Sequence, residues 1–295
     1  MTSALHLPVM VEEVLTSFEI KPEQWYIDAT FGRGGHTREL LKAGANIVAF
    51  DHDQVAIEYG QEKFEQEIEA RRLILVRENF NKLIHSLKEL TPKPIISGIL
   101  FDFGTSVDQL KDANRGFSFE SDSELDMRMD DRLGVKAKDL LALLTEKQLE
   151  DLFRDEGGEE ESRAIAKAIV KQRNSEVITT TYELTDLIER VKRRKFGHLN
   201  PATKVFQALR IAVNSELDSI KEALPQAFDL LEKDGRIVTI SFHEGEDRIV
   251  KTLFKKWEEQ DKGQQIYKKP LQPTEVETRQ NPRARSAKLR AFIKK

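Results

Sequence analysis

The 295-residue sequence contains no cysteine. That excludes a disulfide framework, a thiolate zinc site, an iron–sulfur cluster and any mechanism built on a thiol nucleophile. Long apolar runs are also missing: none approaches the roughly 20 residues that cross a bilayer. The first fifteen residues have no basic segment and carry Glu12 and Glu13, unlike a secretory signal, so a cytoplasmic protein with no membrane partner is expected. Nor is there a global excess of positive charge, since 47 Lys and Arg face 51 Asp and Glu for a net −4. The charge is nevertheless segregated. From Arg279 to Lys295 there are seven basic residues and no acidic one. Lys192-Arg193-Arg194-Lys195, with His198 nearby, form a second basic group, while acid collects at Asp155-Glu156 and Glu159-Glu160-Glu161. Such segregation can make a phosphate-binding face on an acidic protein, although solvated helix faces would give the same pattern.

Hydrophobic residues make up 39% of the chain and charged residues 33%, enough to bury the core of one large domain or of a domain with an insertion. Over the first hundred residues short apolar runs alternate with helical periodicity. Strands are predicted over 25–29, 46–51, 73–77 and 95–102, with helices over 36–43, from 54 onward and over 81–90. Strands alternating with helices of this length imply βαβ units and a doubly wound parallel sheet of the α/β class. From 106 to 200 no buried strand is legible, and helices over 140–153, 160–173 and 182–195 read as an inserted helical domain. The expected organisation is therefore an α/β domain of residues 1–105 and 201–295 around an insertion of 106–200. A long helical stretch over 202–231, interrupted near Pro225, a strand over 235–242, a helix over 246–257 and a last strand over 288–293 complete the chain.

Between the first strand and its helix lies Phe31-Gly32-Arg33-Gly34-Gly35. A glycine-rich turn there lets a ligand approach the backbone, and the free N–H groups of the helix start face it. Asp51 ends the second strand, where a carboxylate accepts hydrogen bonds from the ribose of a bound nucleotide. Strand, glycine turn, helix, strand and acid all stand in order, which points to a nucleotide-type cofactor. The dinucleotide pattern wants glycine at 37 and this chain has Thr37, while Asp28 precedes the turn and can reach a cationic methionine end. Both features favour S-adenosylmethionine over a nicotinamide cofactor, although an oxidoreductase on the same scaffold stays open at this point. Asn79-Phe80 follow the third strand, where Phe80 either contacts adenine or packs in the core. Asp102 ends the fourth strand at the switch point, a position that favours a role in the site.

The chain resembles the bacterial 16S rRNA (cytosine-N4)-methyltransferase family (RsmH/MraW). The resemblance rests on HLPVM at 6–10, YIDATFGRGGH at 26–36, RGFSF at 115–119, LDMRMD at 125–130, FQALRI at 206–211 and VNSEL at 213–217. It continues with ISFH at 240–243, EDRIVK at 246–251 and NPRARS at 281–286. The resemblance implies a class I methyltransferase sheet, S-adenosylmethionine as methyl donor, and N4 of a decoding-centre cytosine, conventionally position 1402 of 16S rRNA in the small ribosomal subunit, as acceptor. It carries cofactor contacts onto Gly34, Gly35, His36, Asp51, Phe80, Asp102 and Gln109, beside the Asp28 and Gly32 read from the turn itself. It also makes the insertion a substrate-recognition domain. The family usually reads DLGVSSPQL where this chain has DFGTSVDQL at 102–110, and Glu244-Gly245 stand after His243 where the family has Ser-Leu.

A cytosine amino group is a poor nucleophile because its lone pair is delocalised into the ring. Methyl transfer to it needs close positioning and an acceptor for the proton that becomes acidic. The sulfonium donor has a good leaving group, so the chemistry requires no metal. The base must be unpaired or extruded, because N4 is engaged inside a helix. Candidate catalytic residues are Asp102, Ser106 and His243, each with a structural alternative: a turn cap, a loop serine and a braced histidine. Phosphate contacts are expected from Lys192, Arg193, Arg194, Lys195, Arg283 and Arg285, with Arg128 in the RNA path or in a salt-bridged loop. A non-catalytic RNA-binding protein with a relic pocket is the other alternative. The proton acceptor and the oligomeric state, homodimer included, are left open by the sequence.

Overall fold

A computed structural model describes residues 8–106, 109–110, 112–119, 121–192 and 200–295. The chain divides into two compact units, one of Met1–Gly104 with Leu217–Lys295 and the other of Thr105–Glu216.

The first unit is built on seven strands: β1 (Trp25–Asp28), β2 (Asn46–Phe50), β3 (Leu73–Val76), β4 (Ile96–Asp102), β5 (Leu231–Ser241), β6 (Gly263–Gln265) and β7 (Lys288–Lys294). Their order is β3-β2-β1-β4-β5-β7-β6. β1 to β5 pair in parallel, while β7 runs antiparallel to both β5 and β6. The strand order reverses between β1 and β4, so this is a doubly wound, Rossmann-like α/β sheet whose switch point lies at the carboxyl ends of those two strands.

Strand alternation divides the core between the two faces. In β2, Ile47 and Ala49 join Val14, Phe18, Leu40 and Leu41 of the helices Val11–Phe18 and Gly35–Lys42. Val48 and Phe50 point the other way, into Leu83, Leu224, Val250, Phe254 and Trp257. Burial on both faces is why these strands read as continuous apolar runs.

The second unit is helical: Ala137–Leu143, Glu146–Asp155, Ser162–Arg173, Thr181–Val191 and Thr203–Asn214. They enclose a core that includes Leu141, Phe153, Ile165, Ile169, Leu184, Val205 and Leu209. Because Thr203–Asn214 buries its apolar face here, the unit ends at Glu216 and not at 200. Two breaks also differ from expectation. The helix read over 140–153 is two helices, divided where Thr145 and Gln148 form a capping box that starts the second. The stretch read as breaking near Pro225 runs through that proline and breaks instead at Ser215, which takes a left-handed conformation (φ 49°). A left-handed residue reverses the chain and ends a helix, whereas an internal proline forfeits one hydrogen bond. The helix Val11–Phe18, the short strand β6 and the helix Glu275–Gln280 had no clear sequence signal.

Candidate active site

The turn after β1 owes its shape to Gly34. Its φ of 65° is left-handed, and an added Cβ would lie 2.5 Å from the Phe64 ring and 2.7 Å from Phe31. Only glycine meets both conditions. The helix Gly35–Lys42 starts on the next residue, so the N–H groups of its first turn lie at the switch point without intrahelical partners.

Asp51, just beyond β2, accepts hydrogen bonds from the Gly32 N–H (2.8 Å) and the Asp53 N–H (2.9 Å). It is thereby locked beside the turn. Burial pushes its carboxyl above the ordinary range, against the lowering by His52 and the two N–H donors. Asp28 is only 1% exposed and fully engaged: one oxygen accepts the Thr37 hydroxyl at 2.6 Å and the other the Thr30 N–H at 3.1 Å. The Thr30 hydroxyl in turn accepts the Asp102 N–H at 2.8 Å. Asp28 thus stitches the turn to the end of β4. Burial raises its pKa despite the Thr37 hydrogen bond. Neither threonine stood out in the sequence, where Thr37 registered only as a missing glycine. The signal available was an acid at 28 with a hydroxyl nine residues on.

His36 and Asp102 meet at the switch point. His36 Nε2 lies 3.5 Å from Asp102 Oδ2, with the histidine side chain 6% and the aspartate 22% exposed. His36 Nε2 and Asp102 Oδ1 are buried and lack a hydrogen-bond partner among the described residues. Burial disfavours a charged imidazole, but the Asp102 carboxylate outweighs it, Asp28 and Glu277 add to it, and the His36 pKa rises. Two orphaned polar atoms beside a glycine cradle fit a polar ligand, and the surrounding carboxylates suit a cationic one.

Phe80 stands in a short 3-10 turn, Phe80–Lys82, edge-on to Phe101 (5.7 Å between centroids) and tilted against Phe103 (6.1 Å). His243 caps the helix Glu244–Glu259. Its Nε2 lies 3.0 Å from Glu246 Oε1 at an angle that makes no hydrogen bond, and Glu246 also accepts the N–H groups of Phe242 (2.7 Å) and His243 (3.2 Å). Glu246, 1% exposed, was another residue that the sequence reading missed.

In the second unit, Ser106 and Gln109 bond to each other: Gln109 Oε1 accepts the Ser106 N–H at 3.0 Å, and Ser106 Oγ accepts the Gln109 N–H at 3.2 Å. Arg128 spends its guanidinium on Asp126 (2.7 and 2.8 Å) and on the carbonyls of Asp131 and Leu133. Burial opposes ionisation of Asp126, but Arg128 and Lys136 hold its pKa down to about 2. Lys192 bonds both oxygens of buried Glu159, each at 2.8 Å. Arg193, Arg194 and Lys195 lie outside the described residues. In the first unit, Arg283 and Arg285 sit exposed on the 3-10 segment Pro282–Ser286. Other basic residues of this terminal stretch are committed internally, Arg290 to Asp247 at 2.7 Å and Lys294 to the Phe228 and Leu231 carbonyls.

Known proteins similar to this chain identify its family. The chain is 43% identical over 307 residues to the ribosomal RNA small subunit methyltransferase H of Caldicellulosiruptor saccharolyticus, covering 98% of this chain and 99% of that one. It is 41% identical to the protein of the same name from Coprothermobacter proteolyticus, covering 98% and 96%. Among solved structures, an rRNA methylase from Streptococcus thermophilus is similar at 12% identity and a TM-score of 0.45, covering 99% of each chain. The model of the MraW methylase family matches residues 3–295, and the chain belongs to that family of S-adenosylmethionine-dependent methyltransferases.

Proposed function

We propose that this protein transfers a methyl group from S-adenosylmethionine to N4 of a decoding-centre cytosine in 16S rRNA of the small ribosomal subunit. The observation that carries this reading is the family match over residues 3–295, with Gly34, Asp51 and the His36–Asp102 pair at the switch point. The near-full-length relatives are named for methylation of small-subunit ribosomal RNA. The cysteine-free sequence agrees with a nitrogen acceptor, because a thiol adduct is unavailable.

Residues that would hold the donor are the first-turn N–H groups of Gly34–His36, Asp51 at the ribose, Phe80 beside the base, and the His36–Asp102 pair towards the methionine end. The donor supplies an electrophilic methyl on a positively charged sulfur. Asp102 is the side chain suited to take the amino proton: its Oδ1 has no partner among the described residues, and its backbone is fixed by Thr30. Asp28, saturated by Thr30 and Thr37, acts by holding the turn. Ser106 and Gln109 brace each other, and His243 is held by Glu246. The helical unit Thr105–Glu216 is assigned to substrate recognition. For phosphate contact we favour Arg283 and Arg285, exposed and inside the family-matching string 281–286. Arg128 is instead the brace of its own loop.

Methyl transfer from labelled S-adenosylmethionine to small subunits from cells lacking this modification, followed by mass spectrometry of the nucleosides, tests the proposal. N4-methylated cytidine at one site supports it. Donor binding without transfer to either naked RNA or subunits overturns it.

A further inference from the structure

Of the six histidines, His36 is buried to 5% exposure. Its ring is surrounded by negative charge from three elements: Asp102 ends β4, Asp28 ends β1, and Glu277 lies on the helix Glu275–Gln280. The helix Val11–Phe18 also packs on the helix of His36 and carries Glu12 and Glu13. Asp51 is tied to Gly32 and Asp53, while the cations nearest in sequence, Arg33 and Arg38, lie over the rings of Tyr59 (4.5 Å) and Phe64 (5.0 Å). Asp28 has both oxygens engaged, whereas Nε2 of His36 and Oδ1 of Asp102 have no partner among the described residues. A proton on this imidazole therefore sits in a small buried cluster that senses any further charge placed beside it.

The two ligands of a methyl-transfer site differ in that respect. S-adenosylmethionine carries a fixed positive charge on sulfur, and its product, S-adenosylhomocysteine, is a neutral thioether there. We infer that a proton on His36, held beside the Asp102 carboxylate, discriminates between them, so that the site favours the cationic donor over the neutral product only after that proton has left. The inference rests on the assignment of the glycine turn and Asp102 to the donor. It goes further by giving His36 a specificity-determining role in exchanging product for fresh donor. The physical reason is reciprocity: if a bound cation expels the proton, the proton must weaken binding of the cation by the same factor. Buried charges interact with little screening, so the effect survives physiological salt.

The sign follows from the cluster. Burial opposes a charged imidazole, but the surrounding carboxylates outweigh it and raise the His36 pKa, so the proton is held to higher pH than on a free imidazole and leaves as pH rises further. Donor affinity should then rise with pH through that transition, by up to about tenfold per unit, while product affinity changes less. The amino and carboxylate groups common to both ligands cancel in the ratio of their dissociation constants. Asp28, whose pKa is also raised, would give the same sign, so the histidine must be observed directly.

The experiment is calorimetric titration of the whole protein with S-adenosylmethionine and with S-adenosylhomocysteine from pH 6 to 8, in two buffers of different ionisation enthalpy. Donor binding is expected to release protons and product binding to release fewer. The affinity ratio should change about three- to tenfold across the range and lose the histidine's share of that change in His36→Gln, which keeps a donor group but cannot titrate. Should that variant fold poorly, the His36 ring resonances of the unaltered protein decide the matter: the donor lowers their titration midpoint and the product does not. Equal proton release and equal midpoints for both ligands overturn the inference and leave the cofactor assignment standing. Failure of both ligands to bind overturns the two together.

Discussion

Single side chains at the switch point carry more than their positions in sequence suggest. Thr37→Val removes the hydroxyl that Asp28 accepts at 2.6 Å and leaves a buried carboxylate short of one donor. The expected cost is about 1–3 kcal/mol in chemical denaturation, the range for a buried group that loses its partner. Because Asp28 is stitched through Thr30 to Asp102, the donor dissociation constant should rise as well, in the same samples. Asp102→Asn keeps the shape but replaces the acceptor oxygen with an amide. If Asp102 takes the amino proton, single-turnover methyl transfer should slow by about 10²–10⁴-fold, the usual worth of a general base. A loss of donor affinity with an unchanged rate at saturating donor would instead make Asp102 a binding residue alone.

At the scale of elements, the loop 125–133 shows a motif whose chemistry the sequence could not assign. Asp126, Arg128 and Asp130 alternate with Met127 and Met129, a pattern that suited either an RNA path or a closed salt bridge. In the fold both methionines are buried and Arg128 is folded back on Asp126 and two carbonyls. Asn214 closes the loop by accepting the Met129 N–H at 2.7 Å and donating to the Met127 carbonyl at 2.8 Å. The Asp126 pKa is depressed to about 2, so its contribution to stability is present above the ordinary carboxylate pKa of about 3.9 and is lost as pH falls towards 2. Circular dichroism of the helical signal between pH 5 and 2 should show this loss. Asp126→Asn should remove that part of the pH dependence. Asp28 behaves in the opposite sense: its raised pKa makes its contribution largest at low pH and smaller as pH rises.

For the whole molecule, a net charge of −4 means that RNA affinity must come from a local surface and be strongly salt-dependent. Several cations of the terminal stretch are consumed within the fold: Arg290 and Lys288 at Asp247, Lys294 at two carbonyls and Lys295 at Asp261. Arg285→Ala should therefore lower RNA affinity at all sequences and reduce the slope of log K against log salt by about one, whereas a cation engaged internally would alter stability first. Filter binding across a salt series checks this. Among the described residues no helix is long and apolar enough to cross a membrane.

The sequence by itself determined the positions of the first four strands along the chain, the glycine turn and the family. Those features are local: period-2 and period-3.6 patterns, a backbone conformation open to glycine, and strings of adjacent residues. It misplaced helix ends where propensity and packing disagreed. Pro225 lies inside a helix because that helix buries Ile220, Leu224 and Ala227 against the sheet, and the break fell at Ser215, a residue with no distinctive breaking character. Only the tertiary structure decided which charged residues are spent on the fold. Asp28 and Arg128 are satisfied by neighbours, while His36 Nε2 and Asp102 Oδ1 are buried without partners among the described residues. The physical reason is that hydrogen-bond satisfaction depends on atoms brought together from distant parts of the chain, as when Asp102 meets Thr30 across seventy-two positions, and residue type carries no record of that pairing.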